Sequence, residues 1–257
     1  MTFLRSIILC RRKVTVSPCW VMLMPPAATL LNVFSDRFVI PAVEGAPAVL
    51  AVADSVTHSV TGVVLTVGAI TGGRRPLLQR STLLLLLAIA WLASTFIDVD
   101  HFVRAGALSL YKATHLTERP FLHNTSTVCM ICVLLGLACE LINRQRRRQV
   151  LQAPLKHERT RVSCGNADDT ENGNEGCIKY KSLPVRGYVP YVVTLCVALL
   201  AHHTRDALRR GFWLGPVNTR AISYLEMMLI FYGFVLSARF CADRSSNGDQ
   251  RRGVFSL

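Results

Sequence analysis

The sequence predicts an all-α fold, a multi-pass transmembrane helical bundle of five or six membrane helices. Three observations predict it. Of the 257 residues 51% are hydrophobic and only 18% charged, too few charges to cover the surface of a water-soluble domain. The apolar residues gather into six stretches close to the roughly 20 residues that a helix needs to cross a bilayer. Of the 29 Lys and Arg, 21 fall in segments that alternate with those stretches, the distribution by which charge sets orientation in a lipid bilayer. The formal net charge of +13 therefore belongs to membrane topology. No basic-aromatic interleaving or nucleic-acid motif accompanies it, and nucleic acid is excluded as a partner.

The first stretch, 18–35, is free of charge but holds Pro25-Pro26, which predicts a kink or a segment that does not span. The second, 47–70, is apolar apart from Asp54 and His58, and Gly72-Gly73-Arg74-Arg75-Pro76 ends it. In the third, 81–97, five leucines from Leu83 to Leu87 run up to Asp98-Val99-Asp100-His101. The fourth, 124–143, stops at Arg144-Gln145-Arg146-Arg147-Arg148. These helices make up an N-terminal unit, 1–143. Residues 144–186 are basic and polar and read as a flexible cytosolic loop. A C-terminal unit, 187–241, carries the fifth stretch, 187–204, which leads into His202-His203-Thr204-Arg205-Asp206, and the sixth, 221–241, which contains Glu226; a polar cytosolic tail, 242–257, follows. Cys129, Cys132, Cys139 and Cys196 lie inside apolar stretches, where a thiol packs as a small hydrophobe.

With a cytosolic N-terminus the cytosolic segments hold those 21 Lys and Arg and the opposite side only 8. That orientation gathers six of the seven histidines, with Asp98, Asp100 and Asp206, at the non-cytosolic face. Asp54-x-x-x-His58 and His202-x-x-x-Asp206 are spaced so that both members of each pair share one helix face. An ionisable residue in mid-membrane costs roughly 2.5 to 3.5 kcal/mol, so Asp54 implies a partner. The two carboxylates of Asp98-Val99-Asp100 point to different sides of a helix, which predicts a turn at that place. Carboxylate oxygen with imidazole nitrogen suits zinc, manganese or iron better than calcium. The same residues also fit a purely structural polar cluster that pairs helices.

Ile97-Asp98-Val99-Asp100-His101-Phe102, Arg119-Pro120-Phe121-Leu122-His123, and His202-His203-x-Arg205-Asp206 with Arg210-Gly211-x-Trp213 resemble the transmembrane protein 267 family over about 36–220. More distantly the chain is similar to bacterial inner-membrane metal-dependent hydrolases of the YdjM type, with Ile97 where their pattern has Pro and Glu118 where it has His. That likeness implies a hydrolase-like site with His58, Asp98, Asp100, His101, His123, His202 and Asp206 on a divalent metal, zinc or manganese. Arg119 and Arg205 would then face a phosphate-bearing substrate through forked hydrogen bonds. A site at the membrane face points to a lipid or lipid-linked phosphoester. The alternative is a non-enzymatic membrane structural or assembly protein.

Overall fold

The computed structural model describes residues 19–71, 80–116, 120–161, 188–215 and 217–250. Six long helices are α1 (Cys19–Phe34), α2 (Pro47–Thr71), α3 (Arg80–Ala105), α4 (Thr125–Arg161), α5 (Val189–Arg210) and α6 (Tyr224–Gln250). Among the described residues no strand forms, and one isolated bridge joins Trp213 to Asn218 in the connection after α5. The fold is therefore the expected all-α membrane bundle. Four segments, Pro47–Ile70, Arg80–Ala105, Thr125–Gln145 and Tyr224–Cys241, are long and apolar enough to cross a membrane. Leu84, Leu92, Phe96, Leu134, Leu141 and Phe240 point outward from them, leaving an apolar exterior that hydrocarbon covers.

Helices α2 and α5 form the centre. The first packs against α1, α3, α5 and α6, the second against α2, α3, α4 and α6. Small residues bring the backbones close: a side chain at Gly62 would run into Ser94 Oγ, and Ala90, Ala93 and Ala198 pack together. Helix α5 is not among the apolar spans because it carries His202, His203, Arg205 and Asp206. It is nonetheless the helix most enclosed by the others, with Ala198, Ala201, His202, Thr204 and Arg205 all buried.

Three sequence expectations meet the structure. Pro25-Pro26 lie inside α1, where Pro26 lacks the N–H that would pair with the Met22 carbonyl and Tyr232 of α6 donates to that oxygen at 2.9 Å; the described part of α1 is not among the four membrane-capable segments. A π-helical turn, Ser35–Val39, follows α1 and carries Asp36 to Arg205. Second, the segment 98–101 stays helical and α3 ends only at Gly106, whose φ of +59° closes the helix. Third, α4 runs on to Arg161, well into the stretch expected to be a loop, since Arg, Gln, Leu and Lys favour helix. The rest of that loop, 162–187, lies outside the described residues.

Local sequence sets the remaining ends. Asn124 caps α4, its Oδ1 accepting from Ser126 N at 3.0 Å, and the backbone of Thr125 is tied to the Trp213 carbonyl at 2.8 Å. Ser223 and Glu226 form a capping box at α6: Glu226 N donates to Ser223 Oγ at 3.2 Å, and Glu226 Oε2 accepts from Ser223 N at 2.7 Å.

One buried ionic group joins four elements. The Arg205 guanidinium donates to Asp36 Oδ1 at 3.0 Å, to Asp54 Oδ1 at 2.9 Å and to Asn32 Oδ1. Arg209 reaches the same two carboxylates, at 3.2 and 3.0 Å, and Tyr224 donates to Asp36 Oδ2 at 3.0 Å. Two carboxylates thus meet two guanidinium groups. Arg205 is 1% exposed and Arg209 42%. Removing a buried partner leaves charges unpaired, whereas a half-exposed one is replaced by water. Arg205→Met is therefore expected to destabilise the protein by about 3 kcal/mol and Arg209→Met by about 1 kcal/mol or less. Thermal unfolding in detergent micelles measures the difference, and equal losses would contradict the assignment.

Candidate metal centre

Asp100 is the residue that places His123. Leaving the end of α3, its Oδ2 accepts from the backbone N–H of Leu122 at 2.7 Å and its Oδ1 from His123 Nδ1 at 3.0 Å. Those two bonds fasten the short 3₁₀ turn, Phe121–His123, to α3 and fix the ring that the turn carries. Both Asp100 oxygens are engaged in this way, so Asp100 orients the imidazole of His123. Asp98, two positions earlier on the same helix, approaches the opposite edge of that ring, 3.8 Å from His123 Nε2. The divergence of the two carboxylates, which seemed to demand a turn, is instead what lets an unbroken helix address both sides of one histidine.

The other rings are set by groups that can only accept. His202 Nδ1 lies 2.8 Å from the Ser94 carbonyl, so this nitrogen carries the proton and Nε2 presents its lone pair. His202 Nε2 is buried and makes no hydrogen bond. It faces Asp98 Oδ1 at 3.6 Å and Asp206 Oδ2 at 3.7 Å. His101 Nδ1 donates to the Ala113 carbonyl at 3.1 Å, which turns its Nε2 toward His123 Nε2 at 3.2 Å. His58 is stacked on His202 with ring centroids 3.9 Å apart, and its Nε2 lies 3.4 Å from Asp206 Oδ1.

A buried lone pair that faces two carboxylates at more than hydrogen-bond distance is unfavourable until a cation enters. The spacing suits one. A tetrahedral ion with bonds of about 2.1 Å separates its donors by about 3.4 Å, against the 3.2 to 3.8 Å found between these nitrogens and oxygens. The donor set is imidazole and carboxylate without thiolate, and its groups could hold a metal ion.

Above the cluster opens a cavity of about 1030 Å³. It is lined by His58, Asp98, His101, His123 and Asp206, by the apolar Leu50, Val99, Phe102, Leu110 and Trp213, and by Arg209 and Arg210. The structure thus brings together all seven residues expected to bind metal. Arg205 does not join them: it is buried beside the cavity and bound to Asp36, Asp54 and Asn32. Arg119 lies outside the described residues. His203, adjacent to His202, turns aside with Nδ1 3.3 Å from Thr125 Oγ1, and His115 stays exposed on Tyr111. Sequence reasoning missed Asn32, Ser94 and the pairing of Arg209. The charge of Asp36 directly after an apolar stretch was a signal for its role, whereas the Ser94 backbone carbonyl offers none.

Relatives bear on the membrane part of this description. The chain is 28% identical to transmembrane protein 267 of Xenopus laevis over 181 residues, 70% of this chain and 63% of the relative. It is 29% identical to the Danio rerio protein of that name over 175 residues, 66% of this chain and 57% of the relative, and 30% identical to the Mus musculus one over 167 residues, 65% and 56%. The chain thus spans about six-tenths of the length of the curated relatives it matches. No family model and no solved structure matches it. The likeness to bacterial YdjM-type hydrolases finds no support among these matches. Similarity to transmembrane proteins together with four membrane-capable helices makes this an integral membrane protein.

Electrostatics make one site property measurable. Burial works against the charged form of His123, but its hydrogen bond to Asp100 and the negative charges of Asp206, Asp100 and Asp98 outweigh it and hold the pKa above the usual histidine value. His123 therefore stays protonated to a higher pH than a free imidazole, and its proton relieves the facing nitrogens of His101 and His123. In chelator-treated protein, a nuclear magnetic resonance titration is expected to place the His123 midpoint above about 6.5. Asp100→Asn should move it down; no change would contradict the pairing.

Proposed function

We propose that this chain is a member of the transmembrane protein 267 family and a metal-dependent membrane hydrolase, acting at the non-cytosolic face on a lipid or lipid-linked phosphoester. The observation that carries the reading is the buried, unpartnered Nε2 of His202, its ring fixed by the Ser94 carbonyl and aimed at two carboxylates. A divalent ion bound there would lower the pKa of its water to about 7 and so supply a nucleophile at neutral pH. His58, His101, His123, His202, Asp98 and Asp206 would hold it, and Asp100 would keep His123 in register.

The substrate class follows from the cavity. Its lining combines apolar side chains with the polar cluster and includes Arg209 and Arg210. A molecule with an acyl or isoprenoid tail and an anionic head matches both kinds of lining. In this reading Arg119 contributes a forked hydrogen bond to the head, and Arg209 and Arg210 supply the positive charge first expected from Arg205. The non-cytosolic placement rests on the Lys and Arg count.

A second reading is a non-enzymatic structural or assembly protein whose polar residues only join helices. The quartet of Asp36, Asp54, Arg205 and Arg209 favours it, since those four do join helices. The two readings separate at Asp98, which shares no guanidinium with the quartet in the ion pairs described above. Protein purified in detergent is expected to carry zinc or manganese, and the double variant Asp98→Ala, His202→Ala to carry almost none at similar folded yield. Metal content near zero in both, or a collapse of folded yield in Asp98→Asn alone, would favour the structural reading.

A further inference from the structure

We propose that the cluster is a two-ion centre. His58, His202 and Asp206 hold one divalent cation, His101 and His123 hold a second, and the carboxylates of Asp98 and Asp206 lie between them as bridges. The proposal rests on the metal-binding reading above and adds the number of ions and their division among the ligands.

The first ground is extent. Four imidazoles stand in a row, His58, His202, His123 and His101, with successive ring centroids 3.9, 5.5 and 4.4 Å apart. One ion with nitrogen and oxygen bonds of 2.0 to 2.2 Å gathers donors that are at most about 4.4 Å from each other. The donor atoms come near that limit only in groups, each within 4.8 Å. His58, His202 and Asp206 make one group; His101 and His123 fall in another together with Asp100, whose oxygens are already hydrogen-bonded, and no residue belongs to both. A third group, Asp98, His123 and His202, takes one histidine from each.

The second ground is the position of the carboxylates. Asp206 Oδ1 lies 3.4 Å from His58 Nε2, while its Oδ2 is 3.7 Å from both His123 Nε2 and His202 Nε2. Its two oxygens thus face different imidazoles. Asp98 Oδ1 lies 3.6 Å from His202 Nε2 and 3.8 Å from His123 Nε2, between the two histidine pairs. Asp100 is occupied with Leu122 N and His123 Nδ1, so the second ion depends on Asp98 and Asp206 for its oxygen donors.

A buried nitrogen makes a separate case for a ligand: His202 Nε2, aimed into the cluster, lacks a hydrogen-bond partner, and its side chain is wholly enclosed. Paired ions about 3.5 to 4 Å apart clamp the attacking and leaving oxygens of an in-line displacement at phosphorus. The division into two histidine pairs with shared carboxylates therefore fits in-line displacement at a phosphoester.

Full-length protein in detergent, stripped with chelator and reloaded with manganese alone, tests this by metal analysis and electron paramagnetic resonance. Two manganese ions per chain with an exchange-coupled spectrum are expected. His58→Ala and His101→Ala should each keep one ion and give an uncoupled six-line spectrum. Saturation of the wild type at one uncoupled ion would overturn the proposal and leave the single-metal reading standing. Failure to bind any ion would overturn both. Should either variant not fold, the wild-type stoichiometry and coupling decide the matter alone.

Discussion

Helix α5 puts His202, His203, Arg205 and Asp206 into the middle of a bundle whose exterior is hydrocarbon-like, and each must find a partner on another element. A polar group left alone at that depth costs several kcal/mol. The constraint shapes the packing. Arg205 draws in the π-helical turn after α1 through Asp36 and draws in α2 through Asp54. His202 takes the Ser94 carbonyl of α3, and His203 takes Thr125 at the start of α4. What α5 supplies in charge, its neighbours answer in kind.

The answers fall into two groups with different chemistry. Around Arg205 and Arg209 opposite charges match at 2.9 to 3.2 Å and the guanidinium–carboxylate fork is complete. Around His202 they do not match: lone pairs face carboxylates at 3.6 and 3.7 Å, and no donor stands between. A few ångströms separate a finished ionic contact from an unfinished one, since Asp54 belongs to the first group and its helical neighbour His58 to the second. The finished group holds the helices in place. In the unfinished one the rings are already turned by backbone carbonyls and by Asp100, so a cation bound there would need little rearrangement.

Much of this was legible in the sequence. Apolar stretches and the distribution of Lys and Arg gave the bundle, because a span needs a fixed length and basic residues sort to one side. The pairs Asp54 with His58 and His202 with Asp206 were legible because helical periodicity places each on one face. Other features depend on contacts distant in sequence. Nothing local shows that Tyr232 replaces the hydrogen bond lost at Pro26, and Pro25-Pro26 read as a kink or as a segment that does not span. The run from Asp98 to His101 read as a turn because local geometry sends its carboxylates apart, while the structure uses that separation on the two edges of His123. Arg205 read as a phosphate ligand because its partners, Asn32, Asp36 and Asp54, lie more than 150 positions away.

The central claim is that imidazole nitrogens from α2, α3, α5 and the turn before α4 converge with carboxylates on a common space suited to a metal ion. X-ray absorption at the zinc edge, on protein purified with its zinc bound, tests it most directly. The account predicts a shell of nitrogen and oxygen at about 2.0 to 2.2 Å with the outer scattering of imidazole rings, and no sulfur. A sulfur shell near 2.3 Å, which would assign the zinc to cysteine, or an oxygen shell without imidazole scattering would contradict it.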